Sequence, residues 1–83
     1  MKIIVYTKPA CVQCRYTKQL LNRLHLIFTE LDVMKDDAAA RDARQLGREL
    51  GLQLPFVVVS HANGQGGQAW AGFIPDRIRG LLP

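Results

Sequence analysis

With only two cysteines in 83 residues, the chain has too few for a disulfide-stapled scaffold, because small domains held that way carry several bridges. Histidine is equally sparse. His25 and His61 are far apart in sequence, no second Cys-x-x-Cys exists, and no methionine lies near the cysteine pair, so neither a zinc finger nor a copper carrier is indicated. Aromatic residues amount to one Trp, two Tyr and three Phe. The net charge of +4 comes from eleven Lys and Arg with seven Asp and Glu interspersed, too diffuse for a phosphate-tracking stripe, so no nucleic-acid partner is expected. Long apolar runs are missing too: Ile3-Ile4-Val5-Tyr6 is broken at once by Thr7, Lys8 and Pro9. Neither a signal peptide nor a membrane span is expected, and a cytoplasmic location follows. Without linker, repeat or low-complexity tract, residues 1–83 read as one domain around one core.

Both cysteines sit in Lys8-Pro9-Ala10-Cys11-Val12-Gln13-Cys14, directly after a β-branched run and before residues of helical composition. A helix start presents unpaired N–H groups and the positive end of the helix dipole, which stabilise a thiolate on Cys11. Cys14 lies about one turn further on the same side, placed to attack a mixed disulfide formed on Cys11. A purely structural bridge closing so short a loop would contribute only about 2 kcal/mol, and a lone pair in a reducing compartment is more often catalytic. Lys8, Arg15 and Lys18 flank the pair; the plainer reading of each is a solvated surface charge, and the functional one is that they favour its thiolate and an acidic docking partner.

The rest of the chain reads as alternating elements. Lys2 to Tyr6 is a strand buried on both faces; Val12 to Leu24 is a helix with Leu20, Leu21 and Leu24 inward and Arg15, Lys18, Gln19 and Arg23 in water. Ile27 to Leu31 is a second strand, parallel to the first. Asp36 or Asp37 caps a helix running to Leu50, which buries Ala39, Ala43, Leu46 and Leu50 and stops at Gly51. Phe56 to Val59 and Gln68 to Ala71 form an antiparallel hairpin around the turn Ala62 to Gly67. Pro75 and Asp76 open a last helix carrying Ile78, Leu81 and Leu82. The expectation is an α/β fold, β-α-β-α-β-β-α, with a four-stranded mixed sheet and helices on both faces.

Three segments, in this order and spacing, carry a resemblance over nearly the whole length: Tyr6 to Cys14, Gln53-Leu54-Pro55 before a valine-rich strand, and Trp70-Ala71-Gly72-Phe73 followed by Pro75-Asp76-Arg77-Ile78. The chain resembles the thioredoxin-fold redoxins, and among them the glutaredoxin-like NrdH-redoxins. The resemblance implies a thioredoxin/glutaredoxin fold and a dithiol electron donor to the large subunit of class Ib ribonucleotide reductase. It also implies recharging by thioredoxin reductase at the expense of NADPH, with no bound cofactor and a monomeric state. It carries over Cys11 as nucleophile and Cys14 as resolving thiol, the two forming the redox-active disulfide. Pro55, which composition alone would leave an ordinary trans strand-entry proline, is implied to be cis, with the backbone of Leu54 as a rung for an extended substrate. Lys8, Val12, Gln13, Trp70, Ala71, Gly72 and Phe73 become candidate partner contacts, although core packing is the plainer reading of Trp70 and Phe73.

Two departures stand out. Ile74 occupies a position that is usually polar or basic in the family, and the Asn63 to Gly67 turn is longer than usual. A glutathione-dependent glutaredoxin is the alternative enzyme, and a zinc or iron–sulfur module on Cys11 and Cys14 is the alternative of another class.

Overall fold

Alternation of side chains along two inner strands builds the molecule's two apolar layers. In a computed structural model of the protein, which describes residues 1–62, 64 and 66–83, the elements follow as β1 (Lys2–Thr7), α1 (Val12–Arg23), β2 (Thr29–Asp32), α2 (Asp37–Leu50), β3 (Phe56–Ser60), β4 (Gln68–Ala71) and α3 (Pro75–Arg79). This is the expected order. The sheet runs β2-β1-β3-β4, with β1 parallel to β2 and antiparallel to β3, and β3 antiparallel to β4. Asn63 and Gln65, within the turn that looked unusually long, lie outside the described residues.

Because successive strand side chains point to opposite faces, Ile3, Val5, Val57 and Val59 face one way and Ile4, Tyr6, Phe56 and Val58 the other. The first set joins Leu20 and Leu21 of α1, Trp70, and Ile78 and Leu81 from the C-terminal segment. The second packs with Ala39, Ala43, Leu46 and Leu50 of α2. Helices therefore cover both faces, as the chain's apolar stripes require. Leu21 and Ile78 are fully buried, so truncating either to alanine would cost about 2–5 kcal/mol.

Local signals set the helix starts. Asp36 Oδ1 accepts the Ala39 N–H at 3.0 Å, which selects Asp36 over Asp37 as the cap of α2. Pro75 takes the first position of α3, where a missing N–H costs nothing.

Three expectations need correction. The second strand begins at Thr29, not Ile27: His25 takes a positive φ of 59° after α1 and Leu26 N–H bonds back to Leu21 O, so the chain turns before it extends. Leu26 and Phe28 pack inward from this turn, leaving Ile27 92% exposed. Leu82 does not share the apolar stripe of the last helix: α3 ends at Arg79, and of the two leucines beyond it Leu81 is buried while Leu82 faces water. Lys18 does not simply face water either; it is half-buried in an ion pair with Glu30.

Candidate active site

The cysteine pair lies where the inner strand β1 gives way to α1, beside the loop that precedes the neighbouring inner strand β3. Ala10 turns the chain with a φ of 58°, and Cys11 then occupies the N-cap of α1. Its sulfur does what a capping oxygen does elsewhere, accepting the Cys14 N–H at 3.1 Å. No acidic residue stands in the first turn of α1, so nothing on the helix itself competes for its positive end. In the reduced protein this arrangement stabilises negative charge on Cys11.

Cys11 and Cys14 form a disulfide with their Cα atoms 5.2 Å apart. They differ in access. Cys11 is half-buried, whereas Cys14 is 2% exposed beneath it. An incoming disulfide can reach the first sulfur and not the second.

The Leu54–Pro55 peptide bond is cis. Leu54 O lies 3.9 Å from Cys11 Sγ and accepts a hydrogen bond from Gln53 Nε2 at 2.9 Å. Pro55 is fully buried, and its carbonyl accepts the Gly72 N–H at 2.8 Å, tying the loop before β3 to the segment after β4. That segment is tied in turn to the cysteine turn, since Phe73 N–H donates to Gln13 Oε1 at 2.9 Å. Gly72 holds a φ of 86°, and a Cβ there would stand 3.1 Å from Gln13 Oε1. Glycine is required by both conformation and space.

A groove of about 370 Å³ opens on the other side of the disulfide, lined by Lys8, Cys11, Cys14, Arg15, Lys18 and Glu30 among others. Glu30 enters it from β2. Its Oε2 accepts Thr7 Oγ1 at 2.7 Å and Lys18 Nζ at 2.9 Å. The Thr7 hydrogen bond first, and then that of Lys18, hold the Glu30 carboxyl below its ordinary value, against the smaller opposing effect of burial. On the far side of the sheet, burial and the neighbouring Asp42 carboxylate, to which Tyr6 Oη donates at 3.3 Å, raise the Tyr6 phenol above its ordinary value.

The sequence candidates thus fall into three groups. Lys8, Cys11 and Cys14 line one groove, with Val12 exposed beside them. Gln13, Leu54, Pro55, Gly72 and Phe73 form a hydrogen-bonded rim, and the Phe73 ring meets Tyr16 with ring centroids 5.8 Å apart. Trp70 and Ala71 stay on β4. The Trp70 indole is buried in the core under the Arg77 guanidinium, 4.7 Å from the ring centroid, and its Nε1 has no hydrogen-bond partner among the described residues. Sequence reasoning overlooked Glu30 and gave Gln53 no part of its own. Nothing in the sequence ties Glu30 to Thr7, which lies 23 positions away; the parallel pairing of β1 and β2 does so. Among the described residues no group of three or more His, Cys, Asp or Glu could hold a metal ion.

The glutaredoxin family model matches residues 3–61. The glutaredoxin-like protein NrdH of Escherichia coli K12 is 35% identical over 83 residues, covering 100% of this chain and 91% of that protein. The solved structure of NrdH-redoxin from Escherichia coli, described as having a thioredoxin-like activity profile, superposes with a TM-score of 0.80 at 34% identity, covering 100% of this chain and 97% of that one. Methanoredoxin from Methanosarcina acetivorans superposes at 0.73 with 27% identity, covering 98% and 83%.

Proposed function

The chain belongs to the glutaredoxin family of thiol-disulfide oxidoreductases, and on that premise we propose that it is a dithiol electron donor of the NrdH kind. In this reading it passes electrons to the large subunit of class Ib ribonucleotide reductase and is recharged by thioredoxin reductase from NADPH, in the cytoplasm and with no cofactor of its own. The single observation that carries the dithiol chemistry of this reading is the difference in access within one helical turn: Cys11 is capped and reachable, Cys14 is buried behind it.

The chemistry then runs in two exchanges. The Cys11 thiolate attacks one sulfur of the substrate disulfide; a mixed disulfide forms and the substrate's other sulfur leaves as a thiolate that takes up a proton. Cys14 loses its proton and attacks Cys11 Sγ, closing the Cys11–Cys14 disulfide and releasing the substrate's first sulfur. Two electrons have moved from the protein to the substrate. The backbone of Leu54, close to Cys11 Sγ, offers an edge on which an extended substrate chain can lie.

Ile74 bears on the source of electrons. Glutathione-using relatives are expected to hold an acid here for the tripeptide's ammonium group, and a half-exposed isoleucine offers it no charge. Losing one side of such a pair costs about 2–5 kcal/mol, or roughly two orders of magnitude in affinity. NADPH consumption, followed once with thioredoxin reductase and once with glutathione plus glutathione reductase, decides between the two. Fast turnover with the first and little with the second is expected; the reverse gives the protein to the glutathione-dependent class.

A further inference from the structure

Behind the loop that carries Leu54 lies a second groove, of about 470 Å³, between α2 and the segment joining β2 to it. Leu54 and Phe56 contribute to its apolar lining, and two large side chains stand out at its mouth: Leu52 is 88% exposed and Met34 is 73% exposed. Apolar residues left this far in water, grouped around a concavity, mark a contact surface more often than scattered surface leucines do. Its charge has one sign. Arg44 and Arg48 line it, one helical turn apart, and among the described residues neither forms an ion pair and no carboxylate lines the groove. Like charges at this spacing repel one another on a helix, and an incoming anion relieves that repulsion. Leu54 belongs both to this groove and, through its carbonyl 3.9 Å from Cys11 Sγ, to the active site.

We propose that this groove is a secondary docking site for protein substrates: it takes an acidic segment carrying an apolar anchor residue, located in the same partner chain as the disulfide that Cys11 reduces. The anchor fills the hollow among Met34, Leu52 and Phe56, and the flanking carboxylates meet Arg44 and Arg48. This inference rests on the dithiol reading above and adds to it a requirement on the partner. The site then selects substrates by sequence at a distance from the reacting sulfurs, and small disulfides gain nothing from it.

The test uses three synthetic peptides, each closed by one internal disulfide. One carries Leu-Glu-Asp-Leu-Glu on both sides through a Gly-Ser linker, the second carries lysine in place of each acid, and the third has no flanks. The rate constant for reduction by stoichiometric reduced protein is read from peptide thiols by mass spectrometry at low and high salt. At low salt the acidic peptide should react about tenfold faster than the lysine peptide, and high salt should erase the difference. R44E/R48E should reverse the preference. A control, R23E/R79E, makes the same change of net charge on the α1 and α3 side and should leave most of the preference in place. Leu52→Ser, at an exposed position that folding does not need, should slow both flanked peptides and leave the unflanked one unchanged. Equal rates for the acidic and lysine peptides, an equal effect of the two charge reversals, or an unaltered rate in Leu52→Ser would each overturn the docking site while leaving the chemistry intact. If even the unflanked peptide is not reduced, the dithiol reading fails first, and the docking site goes with it.

Discussion

The hydrogen bond from Phe73 N–H to Gln13 Oε1 joins the cysteine turn to the segment after β4, and Gly72→Ala tests how much that bond holds. Alanine at a φ of 86° costs about 1–2 kcal/mol in backbone strain. The loss of freedom in the unfolded chain returns about 0.4–1 kcal/mol, leaving a net cost near 1 kcal/mol. The new methyl carbon would also stand 3.1 Å from Gln13 Oε1, closer than the side chain tolerates without moving. Moving it weakens the 2.9 Å bond to Phe73, which contributes about 0.5–1.5 kcal/mol. Together the substitution should destabilise by about 2 kcal/mol, a fall of roughly 10 °C in Tm for a chain this small. Gln13→Ala removes the obstacle and the acceptor at once. In that background Gly72→Ala should cost only the backbone share, so the two changes should couple by about 1 kcal/mol. Urea unfolding of the oxidised protein and its three variants, followed by far-UV circular dichroism, measures the cycle. Strictly additive costs would refute the reasoning, because they would mean that Gln13 neither blocks position 72 nor holds Phe73.

Other outcomes follow from the same geometry. Brief iodoacetamide treatment of the reduced protein should label Cys11 before Cys14, since one is reachable and the other 2% exposed; mass spectrometry showing the opposite order would exchange their roles. Cys14→Ser should accumulate a disulfide-linked adduct with a protein substrate on a non-reducing gel, released by dithiothreitol, because nothing intramolecular resolves it. Glu30 is held below its ordinary value of 4.5, so its contribution to stability is present above that pH and is lost as pH falls through the lower folded-state value. Glu30→Gln should therefore flatten the decline in unfolding free energy below pH 4.5, and an unchanged acid limb would count against the Thr7–Glu30–Lys18 contacts. Ile74→Asp should raise glutathione-dependent reduction if a carboxylate at the N-cap position of α3, which Asp76 in the first turn does not supply, governs the electron source; no rise in that coupled assay refutes it.

Periodicity and punctuation were enough to place every helix and strand within a few residues, because each element carries its own signals: β-branched runs for β1 and β3, Asp36 and Gly51 around α2, Pro75 at α3. The cysteine site was legible for the same reason, since Cys11, Cys14 and the helix start that orients them lie within one short stretch of chain. Boundaries failed where a local pattern met a tertiary contact. Alternation at Ile27 to Leu31 looked like strand throughout, yet pairing could begin only where Ile4 of β1 stands opposite Thr29. Leu82 looked like core until α3 ended at Arg79. The strand order β2-β1-β3-β4, the link from Gln13 across 60 positions to Phe73, the Thr7–Glu30–Lys18 cluster and the groove shared by Met34, Arg44, Leu52 and Phe56 belong to the folded chain alone. Sequence neighbours fix conformation through short-range sterics and hydrogen bonds, whereas these groups meet only after the sheet has paired, and nothing in a single sequence records which distant residues will then be adjacent.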